Sequence, residues 1–177
     1  IVVRDGIQSL DALGPLEVFN TAEQVAPSAD YEIVLAAPEA GVVRTESGVG
    51  LVADVALSSV RKVDTLIVAG GTGVRHAIDD EPYISEVARL AERAGRVTSV
   101  CTGAAALAAA GVLDGRRATT HWGWAGWMAE RWPDIDVDPD AIFVQDGHVW
   151  TSAGVTAGMD LALALVAEDH GPEVAHT

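Results

Sequence analysis

The chain has 177 residues, 49% of them hydrophobic, enough for one well-buried core and short for two, so a single domain over residues 1–177 is expected. Its 26 acidic and 11 basic side chains give a formal net charge of −15, a surface that repels phosphate backbones and anionic lipid, which excludes DNA or membrane binding by this segment alone. The single cysteine excludes an internal disulfide and fits a reducing cytoplasm, and no secretory segment or membrane-length apolar run is present.

In chain order, residues 1–3 read as a buried strand broken by Asp5-Gly6. A loop through Gln8-Ser9-Leu10-Asp11 follows, and Gly14-Pro15 reads as the start of a helix over residues 16–24, with Glu17 in its first turn. That places Asp11 in a strand-to-helix loop, the edge at which α/β sites are built. Residues 31–37 read as a second strand and residues 41–54 as an edge hairpin. Residues 63–69 form a third strand that runs into Gly70-Gly71-Thr72-Gly73, where glycines let the backbone approach a ligand and point N–H groups into a site. The spacing is neither a dinucleotide fingerprint nor a P-loop, so no cofactor is indicated. Residues 81–94 form an amphipathic helix stopped at Gly95.

Residues 96–110 are the centre of the chain: a short β-branched strand, the lone Cys101, then an Ala-rich helix after Gly103 that closes at Gly111. This is the pattern of a nucleophile elbow. A thiol there lies over free N–H groups and the positive end of the helix dipole, which favours an accessible, partly ionised Cys101; the alternative is a small buried hydrophobe. Beyond it, Ala118-Thr119-Thr120-His121-Trp122 reads as a strand entering a helix. His121 either reaches Cys101 or bonds to backbone at the helix start. Trp124 and Trp127 share a helical face suited to core or interface packing. A hairpin around Asp146-Gly147 and a long final helix over residues 159–168 complete the pattern. There is no metal-ligand spacing. Residue 1 lies inside an apolar run and residues 173–177 read as an unfinished helix, so the sequence is expected to be cut at both ends. Strands alternating with helices predict a mainly parallel sheet sandwiched by helices, with the site at the strand carboxyl ends.

Leu10-Asp11-Ala12-Leu13-Gly14-Pro15-Leu16-Glu17-Val18-Phe19, Ala69-Gly70-Gly71-Thr72-Gly73, Ser99-Val100-Cys101-Thr102-Gly103, Ala118-Thr119-Thr120-His121-Trp122 and the run from Thr151 through Gly154, Gly158 and Asp160 together resemble the ThiJ/PfpI superfamily. The resemblance covers nearly the whole chain and implies a flavodoxin-like, class I glutamine amidotransferase-like fold and a homodimer. Two subgroups share the Cys-Thr-Gly and Thr-Thr-His-Trp patterns: isonitrile hydratases and the amino-terminal domains of GlxA-like AraC-family transcriptional regulators. Residues 149–171 look more like the regulators, which implies a small-molecule effector and DNA binding only through a helix-turn-helix domain beyond this sequence.

Superfamily proteases and amidases carry His directly after the cysteine; here that position is Thr102, which argues against amide attack. The hydratase resemblance implies Cys101 as nucleophile, Asp11 as the acid that moves protons and Thr102 as an orienting hydroxyl. In chemical terms, a Cys101 thiolate would attack an electrophilic carbon, Asp11 would protonate the adduct and activate water, and the Gly71 and Thr102 N–H groups would hold negative charge, beside Gly70 and His121 as ligand-binding positions. Like-charge repulsion requires either Asp11 or Cys101 to stay protonated. Oxidation of Cys101 as a redox signal is a third reading.

Overall fold

The computed structural model describes residues 1–26 and 29–176. At its centre, β5 (Thr65–Val68), β6 (Arg96–Val100) and β10 (Val149–Ser152) run parallel, and β9 (Phe143–Asp146) closes one edge antiparallel to β10 through the Gly147 turn. On the other side the opening residues insert: Val2 bridges in parallel to Val68 and to Ala36 of β1 (Ala36–Ala37), which pairs with β4 (Val55–Ala56). The expected mainly parallel sheet is present.

Alternation along the strands splits the core. Leu66, Val68, Val97 and Val149 point to one face, packed by α2 (Val74–Ala77), α3 (Glu81–Ala91) and α4 (Gly103–Ala109). Ile67, Val100 and Trp150 point to the other, under α1 (Ser9–Val25), α6 (Thr156–His170) and α7 (Pro172–Ala175). The sheet is thus sandwiched by helices, with period-two strands feeding two apolar layers. A smaller cluster of Val3, Ile7, Ala12 and Val43 seats the separate hairpin β2 (Gly41–Arg44) and β3 (Gly50–Ala53) over the start of α1. Beyond the elbow, β7 (Arg117–Ala118) pairs with β8 (Asp136–Val137), and α5 (Trp122–Arg131) lies between them in sequence.

Two expectations about local structure are corrected. The first helix starts at Ser9, not after Gly14-Pro15: the Gln8 side chain caps it by accepting from Leu10 N–H, and Pro15 sits inside it. Asp11 is therefore in the first helical turn rather than a loop, and Glu17 lies farther along on an exposed face. Within residues 31–37 only Ala36–Ala37 is strand. The Tyr31 and Leu35 N–H groups donate to the carboxylates of Glu23 (2.7 Å) and Asp54 (2.9 Å), so they are lost to a ladder.

At the strand end opposite the elbow, Arg96 joins sheet to helix. Its guanidinium bonds both carboxylate oxygens of Asp169 at 2.8 Å and Glu168 at 2.9 Å, and Tyr31 donates to Asp169 at 3.0 Å. Burial alone would raise the Asp169 carboxyl, but the Arg96 and Tyr31 hydrogen bonds outweigh it and hold it below its ordinary 3.8. Such a group stabilises the fold above its unfolded-state value and loses that contribution as the pH falls through the folded value. Arg96→Ala is expected to cost about 1–2 kcal/mol at pH 7 in urea unfolding, reduced by partial exposure. The difference from wild type should shrink as the pH drops below 3.8; a pH-independent difference would refute the assignment.

Candidate functional site

The site lies where β6 gives way to α4. Cys101 takes a left-handed conformation, φ 58°, and only one other non-glycine among the described residues has positive φ, Val155 at 49°. Such conformations cost on the order of 1–3 kcal/mol each and persist only when neighbours impose them. Here the imposing contacts are visible. Cys101 N–H donates to the Ser152 carbonyl at 3.0 Å, and the Thr120 hydroxyl donates to the Cys101 carbonyl at 2.9 Å. The turn after β10 presses on the sulfur: a Cβ on Gly154 would fall 2.8 Å from the Cys101 Cβ and 3.0 Å from its Sγ.

Asp11 reaches the same point from α1, wholly buried. Its Oδ1 accepts from the N–H of Val155 at 3.0 Å. Its Oδ2 is buried and makes no hydrogen bond of ordinary geometry, although the Cys101 thiol and the Gly70 N–H lie close enough to act on the carboxyl. Asp11 thus links the two strained residues, bonded to the Val155 N–H and acting on the Cys101 thiol.

The electrostatics correct the expectation of an accessible, partly ionised cysteine. Cys101 is only 6% exposed, and burial pushes its thiol up to about 12, with the Asp11 carboxylate adding to the rise. The Thr102 N–H and hydroxyl at the mouth of α4 act the other way and are outweighed. Burial likewise raises Asp11, with the negative charge of Glu46 contributing, against the lowering effect of the Val155 N–H. Both groups hold their protons more tightly than in water.

Of the remaining expected residues, Thr102 is buried against the glycine loop. Its hydroxyl accepts from the Gly71 N–H at 2.8 Å and lies 2.9 Å from the Gly71 carbonyl. The Gly71 N–H is therefore engaged by Thr102 rather than aimed at the sulfur. Gly70 backs onto the elbow, where a Cβ would meet the Thr102 nitrogen at 2.5 Å. His121 caps α5: its ring accepts from Gly123 N–H at 3.2 Å and packs on Trp122, so it is engaged at the helix start. Trp124 and Trp127 meet edge-to-face at 5.1 Å, on the shared face the sequence predicts.

Sequence reasoning passed over Thr120, Val155, Gly154 and Glu46. Thr120 and Gly154 sit inside motifs already noticed. Nothing in the sequence marks Glu46, which lies at a hairpin tip.

Comparison with known proteins places this geometry in a family: the DJ-1/PfpI family model matches residues 1–168, and the chain belongs to that family. Among individual relatives, the chain is 34% identical over 171 residues to the isonitrile hydratase of Pseudomonas putida, covering 96% of this chain and 70% of that protein. It is 36% identical over 168 residues to the HTH-type transcriptional regulator CdhR of Pseudomonas aeruginosa, covering 94% of this chain and 48% of the regulator. The chain thus spans about half the length of that regulator. The crystal structure of a ThiJ/PfpI family protein from Pseudomonas syringae superposes with a TM-score of 0.87 at 30% identity, covering 99% of this chain and 69% of that one.

Proposed function

We propose that this chain is the effector-sensing and dimerising domain of an AraC-type transcriptional regulator, with a small-molecule pocket centred on Cys101 and Asp11. The observation that carries the reading is the state of Cys101: it is buried, its thiol is pushed up to about 12, and Thr102 follows it where a base would stand. A nucleophile at neutral pH needs thiolate. A thiol beside a buried carboxyl with one free oxygen suits recognition of a small polar group instead. The similarity to CdhR supports the same reading. Dimerisation has a surface available in the apolar groove of about 210 Å³ between α1, α6 and α7, lined by Val18, Val25, Leu163 and Val174.

The second reading, a hydratase that adds water to a small electrophile through Cys101, is favoured by one arrangement: Asp11 and Thr102 both act on the Cys101 thiol. Three measurements on the same chain test the two readings. The 177-residue chain, offered alkyl isonitriles at pH 7, is expected to give no turnover and to sediment as a dimer that leaves promoter DNA unshifted. Turnover abolished by Cys101→Ala would overturn the sensing reading, as would a strict monomer. A reading frame that continues past Thr177 into a basic helix-turn-helix segment is the matching genetic expectation.

A further inference from the structure

We propose that Glu46 is a positioning residue for the Cys101–Asp11 pocket, a carboxylate clasp at the β2–β3 hairpin tip that fixes the start of α1 and the 70–73 loop without touching the ligand. The proposal rests on the reading of that pocket as a ligand site, and extends it to how the pocket is held.

Three backbone segments meet at this point. Gly6 N–H donates to the Arg44 carbonyl at 2.7 Å, Glu46 N–H to the Ile7 carbonyl at 2.9 Å, Gln8 N–H to the Gly70 carbonyl at 2.9 Å and Gly73 N–H to the Gly6 carbonyl at 2.9 Å. The Glu46 side chain then closes the set. One oxygen accepts from the Gln8 amide nitrogen at 2.9 Å, and the other from the Thr72 N–H at 3.2 Å.

Each bond constrains part of the pocket. A carboxylate accepts and cannot donate, so it draws the NH₂ end of the Gln8 amide and turns the carbonyl end toward the helix, where it caps Leu10 N–H at 3.3 Å. That cap opens the turn containing Asp11. The bond to Thr72 fixes the peptide that follows Gly71, whose own N–H meets Thr102 beside the sulfur. Charge acts alongside geometry. The charged or titratable side chains that act on Asp11 are Cys101 and Glu46, and Glu46 favours its protonated form. An exposed side chain thereby biases a buried acid that solvent does not reach.

The test needs no ligand, so its outcome is independent of whether the sensing reading holds. In the 177-residue chain, the Asp11 carboxyl is titrated by carbon NMR and the amide exchange of Leu10 and Thr72 is followed in wild type, Glu46→Gln and Glu46→Asp. In Glu46→Gln the Asp11 midpoint should fall, and the shift should be largely erased in 1 M salt. In Glu46→Asp the charge remains and the shorter side chain cannot reach both donors. Its midpoint should stay near wild type while exchange at Thr72 and Leu10 rises about tenfold. An unmoved Asp11 midpoint in Glu46→Gln, or unchanged exchange in both variants, overturns the proposal.

Discussion

Gly103→Ala is expected to destroy the elbow: the domain should fail to fold, or melt roughly 10 °C or more below wild type, for a loss of about 4 kcal/mol or more. The reason is a backbone contact. A Cβ on Gly103 would overlap the carbonyl oxygen of Val68, and its next neighbours would be the carbonyl carbons of Val68 and Ala69 at 2.9 and 3.2 Å. No side chain can swing aside, so α4 would have to lift from β5 and carry Cys101 and Thr102 with it. Gly126→Ala gives the opposite sign from the same chemical change. Gly126 lies within α5, and a Cβ added there would meet nothing within 4 Å, so alanine should add about 0.5–1 kcal/mol by restricting the unfolded chain and favouring the helix. Thermal melts followed by circular dichroism decide both, and a Gly103→Ala protein as stable as wild type would remove the close packing from the account of the site.

Cys101 in the folded protein should react with iodoacetamide at pH 7 at least a hundredfold more slowly than a free cysteine. With its thiol pushed up from 9.0 to about 12, the thiolate fraction at pH 7 is about a thousandfold below that of an unperturbed thiol, before burial limits access. Asp11→Asn removes the neighbouring charge that raises the thiol and can still accept from Val155, so the rate should rise about tenfold. The same substitution tests the pH dependence of stability. Asp11 is raised in the folded state, so its contribution is fully present below the unfolded value near 3.8 and is lost as the pH climbs through the folded value. Asp11→Asn should therefore gain on wild type between acid and neutral pH in urea unfolding. A wild-type Cys101 that labels at the free-thiol rate, or a rate indifferent to Asp11→Asn, would show that the two groups do not share a site.

The parts of this molecule legible in its sequence are those whose physics is local. The β-branched strand, Gly103 and alanine run of the elbow, the glycine loop at 70–73 and the hairpin at Gly147 each carry their own backbone reasons. What misled was local reasoning applied where distant partners decide. Pro15 reads as a first helical residue, yet the cap comes from Gln8, itself oriented by Glu46 across the hairpin. Tyr31 and Leu35 look like strand residues, yet Glu23 and Asp54 take their donors. The helix mouth favours a Cys101 thiolate, and that effect is real; burial and the Asp11 carboxylate, both products of the tertiary fold, exceed it. Val155 is the sharpest case. A β-branched residue is a poor choice at φ 49°, and the bonds of its N–H to Asp11 and of its carbonyl to the Gly158 N–H, both set by the fold, hold it there.

The bond between Asp11 and Val155 also sets when the Cys101–Asp11 site can be completed during synthesis. Asp11 and Val155 are 144 residues apart, and residues 1–3 complete the sheet only by inserting between β1 and β5. Such long-range closure is slow relative to local helix formation, and a growing chain emerges at roughly 5–20 residues per second. The first turn of α1 therefore waits many seconds for the segment that satisfies its buried carboxyl, and no partly made chain can present the finished site. On the proposed sensing function, a small molecule bound there would recognise only completed domains and would draw the last folding step forward by mass action.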